Sequence, residues 1–373
     1  MTFIRKVALH AATLTAFAAG AAGVAGAQGI GGFLPTSEDN SVTRQGTRGA
    51  NFLHIPISAR AAGMAGAVGS TVSGPTAWFH NAAGAATTEH IGLAIGREML
   101  YGDMDITMNY LGVSFPLFGG GVGLGIRSLN SGDMERTTEN TPFGDVTNGR
   151  FFQWTSMMAQ LGYARRITDR LDLGGTIQYI SEGLPTAKIS WMAFDVGTQF
   201  RTGLFGVVVG GALQNLGGGA TMDGQLLERG ANSNDVSRQV TRYKLFTRSI
   251  DLPTSFRFSV GDELYGTAES LLGRGSGTHT FATEFAVNDA VDAAAQAALG
   301  AEYGFKNILF ARGGYRFYND DRKAPGESAL FGASAGFGLR YPIAGRPIKF
   351  DYSISAQGDL QNTQIFSIEL GGR

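Results

Sequence analysis

A chain of 373 residues with 31 acidic and 30 basic side chains carries no net field for nucleic acid, and only 16% of it is charged, against about a quarter in ordinary soluble domains. The lack of cysteine excludes disulfides, thiolate metal centres, a cysteine nucleophile and a lipidated N-terminal cysteine. Its 56 glycines follow no triplet repeat and disfavour long helices, each interior glycine costing about 1 kcal/mol relative to alanine.

The N-terminus reads as an export signal. Arg5 and Lys6 precede an apolar stretch from Val7 to Val24, and Ala25-Gly26-Ala27 gives the small-x-small pattern of a signal peptidase site. Residues 1–27 are therefore expected to be a signal peptide, with the mature chain starting at Gln28. Residues 28–51 are polar and glycine-rich, and read as a flexible lead-in. Residues 52–88 are rich in small residues and show no period of two. Beyond the signal no run of about 18 apolar residues occurs, so no transmembrane helix is expected in the mature chain.

From residue 89 to 373 short alternating segments recur between turn-forming clusters. Ile348, Phe350, Tyr352 and Ile354 alternate with Lys349, Asp351, Ser353 and Ser355, which gives a strand one apolar and one polar face. Phe337, Leu339 and Tyr341 alternate likewise with Gly336, Gly338 and Arg340. The same pattern holds around Arg312 and Arg316, around Arg257, and around Glu284. It is noisier in the earlier strands, near Asn109 and Met157.

A soluble sandwich and a membrane barrel both alternate, with the apolar face turned inward in one and to lipid in the other. The export signal, the charge and glycine on the polar faces, and the connection lengths favour the barrel. Tight connections at Phe115–Gly121, Thr168–Arg170, Thr202–Phe205, Phe305–Asn307 and Pro342–Pro347 alternate with wide ones at Ser131–Gly149, Gly217–Ile250, Tyr318–Ser328 and Gly358–Asn362. Short periplasmic turns and long external loops have this rhythm. Asp262–Thr278 breaks it, being long on the short-turn side. The count is about fourteen strands, an even number as bacterial barrels have. The fold class expected is thus all-β membrane: a closed antiparallel transmembrane barrel with residues 52–88 as a lumenal plug. A barrel of that size lies between those filled by side chains and those that hold a water channel, so it needs filling.

No catalytic, metal or cofactor centre is legible. The five histidines lack metal-ligand spacing, and no serine lies in a G-x-S-x-G elbow. Gly119 to Gly125 lacks both the GxGxxG spacing and a following helix, and reads as a tight turn with lumen-facing glycines. The chain is read as non-catalytic. The candidate functional residues lie on the plug and the lumen wall. On the plug they are Arg60, Met64, Trp78, Phe79 and Asn81. On the wall they are Arg257, Glu284, Glu302, Arg312, Arg316, Lys349 and Asp351. The charged ones form a paired interior network or line a ligand path, and the network is preferred because unpaired buried charge is costly.

The segment Ala59-Arg60-Ala61-Ala62-Gly63-Met64-Ala65-Gly66-Ala67 resembles the opening motif of the PorV/PorQ family of outer-membrane proteins. Where that family has Asn-Pro-Ala-Gly, this chain reads Asn81-Ala82-Ala83-Gly84, without the proline. Phe310-Ala311-Arg312-Gly313-Gly314-Tyr315-Arg316-Phe317 is similar to the family's strand ending, as is the stretch from Gly336 through Phe350-Asp351-Tyr352 to Leu360. The chain ends Glu369-Leu370-Gly371-Gly372-Arg373 without a terminal aromatic, leaving Phe366 to play that part.

The resemblance implies a FadL-like barrel of fourteen strands with an N-terminal plug. It also implies partners: outer-membrane lipid, secreted cargo proteins and components of type IX secretion. The alternative is a FadL-like passive carrier of hydrophobic small molecules, motivated by barrel size and by apolar plug residues such as Phe52, Leu53 and Ile55. A third reading, a purely structural barrel, has no positive mark.

Overall fold

The computed structural model describes residues 46–137, 141–144, 149–231, 241–267, 270–273, 277–318, 330–343 and 346–371. The signal peptide and most of the lead-in lie outside the described residues. Among those residues fourteen antiparallel strands close into one barrel. In chain order they are β1 (Gly92–Leu100), β2 (Ile106–Leu117), β3 (Gly120–Asn130), β4 (Thr155–Arg166), β5 (Leu171–Leu184), β6 (Ala187–Arg201) and β7 (Val208–Gly217). The second half comprises β8 (Ser255–Tyr265), β9 (His279–Ala290), β10 (Gln296–Phe305), β11 (Leu309–Tyr318), β12 (Ala333–Ile343), β13 (Arg346–Ala356) and β14 (Asn362–Leu370). Each strand pairs with its sequence neighbours, and β14 closes on β1 in the register Ile95↔Ile368. Closure leaves no strand edge unpaired, which a lipid environment requires of any sheet.

The strand faces separate by solvent. On β6, Met192, Phe194, Val196 and Phe200 are exposed while Trp191, Ala193, Asp195 and Gln199 are buried. Phe337 and Phe350 are 52% and 44% exposed, so the apolar faces look outward and the sandwich alternative is excluded. Arg97 of β1 is an exception, a cation on the outer face.

Two residues, Phe118 and Gly119, join β2 to β3, both with positive φ (54° and 72°). Such a pair matches the twist of a two-residue hairpin. Residues 167–170 and 306–308 make further short connections at this end, whereas 131–154, 218–254 and 319–332 are long ones at the other. The link 266–278 is long on the short-turn side, as expected. Three connections were not anticipated: residues 101–105 and 291–295, and residues 185–186, which are tight at the loop end and join the two longest strands.

The lumen is filled by short helical turns rather than a long helix: Asn51–His54, α1 (Ala59–Gly63), Gly74–Thr76, α2 (Ala77–His80) and Ala82–Ala85. Contacts begin ahead of Phe52. Arg48 pairs with Asp251, and the Ala50 N–H donates to Glu182 Oε1 at 3.0 Å. Packing is lopsided. Phe52, Leu53, Ile57 and Phe79 form a core with inward residues of β2 to β6, among them Met108, Met158, Ile180 and Trp191. The indole of Trp78 lies flush on the wall, where a Cβ on Gly123 or Gly162 would stand 2.0 or 2.4 Å from it. The opposite wall, β10 to β14, turns charged side chains inward among glycines, serines and threonines.

Candidate functional site

The plug is fastened to the wall by groups whose positions follow from strand alternation. Glu284 on β9 accepts from the Ser70 N–H at 2.6 Å, the Thr71 N–H at 3.2 Å and the Thr71 hydroxyl at 2.5 Å. Arg316 on β11 donates twice to the Ala65 carbonyl, at 3.2 and 3.0 Å. Asn81 caps the Ala82–Ala85 turn through its Oδ1, and its Nδ2 donates to the carbonyls of Gly69 and Thr198, both at 2.9 Å. Phe79 meets Tyr110 edge-on at 5.9 Å, and Met64 and Ala65 rest against Gly300 and Gly314.

Beneath α1 runs an ion-pair chain. Arg60 Nε lies 3.0 Å from Glu302 Oε2, Arg312 Nε 2.5 Å from the same oxygen, and Arg312 Nη1 2.6 Å from Asp351 Oδ1. Lys349 pairs with Glu369 at 2.8 Å. Five of the seven wall residues singled out in the sequence therefore bond to the plug or to one another, and Lys349 bonds to Glu369, a further wall residue. Arg257 is the exception, with an Nε that lacks a hydrogen-bond partner.

The described histidines are dispersed. His54 approaches Asp292 at 3.2 Å, His279 approaches the Tyr303 hydroxyl at 2.6 Å, and His80 lies in the plug with its Nε2 2.7 Å from the Ile57 carbonyl. Burial, with the charge of Arg257 second, lowers the His80 pKa to about 3. The imidazole is then neutral and donates to Ile57.

Two chambers flank the plug. The loop-side chamber, of about 600 Å³, has an apolar wall formed by Phe52, Ile55, Leu100, Ile106, Leu129 and Ile365. Its polar lining includes Glu98, Glu182, His54 and Arg316. Glu98 is fully buried, and neither carboxylate oxygen has a hydrogen-bond partner. The chamber at the short-turn end, of about 300 Å³, is lined by the ion-pair chain together with Arg340 and Tyr110. A small apolar solute suits the first and not the second, because burying apolar surface favours apolar walls and leaves unpaired polar groups unsatisfied.

Sequence reading missed several interior groups. Asp195 accepts from the Asn215 N–H at 2.7 Å and from Gln178. Arg127 donates to the Leu53 and Ile55 carbonyls. Glu98 and Glu369 were missed as well. Glu369 has a signal in hindsight, since it alternates with Phe366, Ile368 and Leu370 on β14.

No family model matches the sequence, and none of the curated proteins matches it. Solved structures do. Two structures of the Pseudomonas putida toluene transporter TodX superpose with a TM-score of 0.51 each, at 14% and 11% identity, covering 84% of this chain and 96% of theirs. The CymD monoaromatic hydrocarbon channel is similar at a TM-score of 0.48 and 10% identity, over 84% of this chain and 95% of that one. The fold is shared with the TodX structures, a closed antiparallel barrel of fourteen strands. The protein accordingly belongs in the bacterial outer membrane, its exposed apolar belt against acyl chains.

Proposed function

We propose that this barrel is a non-catalytic carrier that admits hydrophobic small molecules from the external side. The loop-side chamber carries the reading: about 600 Å³ of mainly apolar wall, held open above a plug that fills the lumen. Sites of this volume hold molecules of the size of substituted aromatics or short amphiphiles. TodX, whose fold this chain shares, is itself a toluene transporter.

The test is binding of an alkylbenzene to the purified full chain in non-ionic detergent, followed by the fluorescence of Trp154, which lines the chamber. Leu129→Asp, which places a charge on the apolar wall, should weaken binding by at least about tenfold, since burying a charge beside an apolar ligand is unfavourable. Equal binding by the variant would remove the chamber from the reading.

Cargo docking for type IX secretion is the second reading, and the Ala59–Ala67 motif favours it. That segment contains α1 and packs against β12 and β13 inside the lumen. The resemblance therefore bears on how the plug is built, and an external docking surface would have to come from the long loops. Recovery of secretion components with the barrel from native membranes supports cargo docking, and recovery of lipid alone counts against it.

A further inference from the structure

The chamber contains one feature that a hydrocarbon cannot satisfy. Glu98 is 0% exposed, and both of its carboxylate oxygens are without a hydrogen-bond partner. Its cross-strand neighbours are Met108 on β2 and Ile365 on β14, both buried and apolar, so neither directly paired residue offers a donor. Three other polar groups of the chamber are committed elsewhere, while the Thr363 hydroxyl is also without a partner. Glu182 accepts from Ala50, His54 meets Asp292, and Arg316 donates to Ala65. Arg127, on the next strand but one, donates to plug carbonyls through its terminal nitrogens, keeps an unpaired Nε, and makes no hydrogen bond to Glu98.

Buried polar groups are nearly always hydrogen-bonded, and an unpaired one at the wall of a ligand-sized cavity calls for a donor from whatever enters. We propose that the preferred occupant is a hydrophobic amine: an apolar body seated against Phe52, Ile106 and Leu129, with an ammonium group donating to Glu98. This deepens the carrier reading and rests on it. A carboxylate-bearing amphiphile of the same size brings no donor to Glu98 and must bury its own charge in a mainly apolar chamber, so it is disfavoured. A neutral hydrocarbon gains the apolar contact but leaves the carboxylate unpaired.

Three ligands with one skeleton separate these cases: butylbenzene, 4-phenylbutylamine and 4-phenylbutanoate, titrated into the full chain in non-ionic detergent at neutral pH. The amine should bind roughly tenfold more tightly than the hydrocarbon, the scale of one charge-assisted hydrogen bond, and the carboxylate most weakly. In Glu98→Gln the amine-to-hydrocarbon ratio should fall to about one. If that variant does not yield a folded barrel, the ranking in the native protein still decides. A hydrocarbon that binds as tightly as the amine, or a ratio unchanged by Glu98→Gln, overturns the amine assignment and leaves the carrier reading intact. Failure of all three ligands to bind overturns both.

Discussion

Gly313 and Gly314 are adjacent on β11, and the structure gives them opposite surroundings. A Cβ added to Gly313 meets nothing within 4 Å. One added to Gly314 stands 2.5 Å from the Met64 carbonyl carbon and 2.7 Å from the Ala65 nitrogen, both plug backbone. The second distance pair falls about 1 Å short of ordinary contact, and backbone has no rotamer by which to yield, so the plug must retreat or the strand must bend. Overpacking of this kind costs about 1–3 kcal/mol. Replacing glycine by alanine in an extended strand otherwise gains about 0.5–1 kcal/mol from the unfolded state, which is all that Gly313→Ala should show. The two variants should therefore differ by about 2 kcal/mol, or roughly 30-fold in the population of the displaced plug. Hydrogen exchange of the amides in residues 59–67 measures that population, and conductance in planar bilayers reports whether displacement opens the lumen. Equal exchange in the two variants, or faster exchange in Gly313→Ala, would refute both the face assignment and the seating of the plug.

Further outcomes follow from other plug fastenings. Glu302→Gln removes the acid shared by Arg60 and Arg312 and leaves a guanidinium that is 4% exposed in side-chain area short of a partner. It should lower stability by about 3 kcal/mol or more, read as a drop in the unfolding temperature in detergent, and an unchanged midpoint would contradict the pairing. His80 has its pKa lowered to about 3 by burial, so the displaced plug, with an ordinary histidine pKa near 6.5, binds the proton more readily. Its contribution to docking is full above pH 6.5 and is lost as pH falls from there toward 3, by about 1.4 kcal/mol per unit. His80→Gln should flatten that part of the acid-dependent rise in plug exchange; an identical pH profile in the variant would exclude His80 as its source.

Half of the barrel wrote itself clearly into the sequence, and the other half did not, for one physical reason. On β8 to β13 the inward residues are charged, small or hydroxylated and the outward ones apolar, so a period of two stands out. On β2 to β6 the plug presents Phe52, Leu53 and Phe79 to the wall, and the wall answers with Met108, Tyr110, Met158, Ile180 and Trp191. Lipid lies on the other side, so at these positions both faces are apolar and the contrast weakens, although Gln160, Gln178 and Asp195 keep the same inward faces partly polar. Asn109 and Met157, where the pattern was noisiest, are outward residues beside inward Met108 and Met158. The tight 185–186 turn was hidden for a related reason: β5 and β6 run to 14 and 15 residues, well past the apolar belt, so no drop in hydrophobic alternation marks where they end.

The same asymmetry explains which interior charges could be found. Glu284, Glu302 and Asp351 lie on strands of clean alternation, and each is engaged by the plug or by a neighbouring guanidinium. Arg97 and Glu98 sit side by side on β1, where Leu93, Ile95 and Met99 face outward and Ala94 and Leu100 inward, and a cation on the apolar face together with leucines on both faces blurs the period of two that places Glu98 in the lumen. Pairing decides it: Glu98 aligns with buried Met108 and Ile365, while Arg97 aligns with Asn109 and Phe366 on the outer face. Consecutive strand residues point to opposite sides, so the two cannot neutralise each other. A carboxylate that fastens the plug has its partner encoded in the chain and can be inferred from the pattern around it. One whose hydrogen-bond partner arrives with a solute has no such donor in the chain, which is what the amine assignment requires of Glu98.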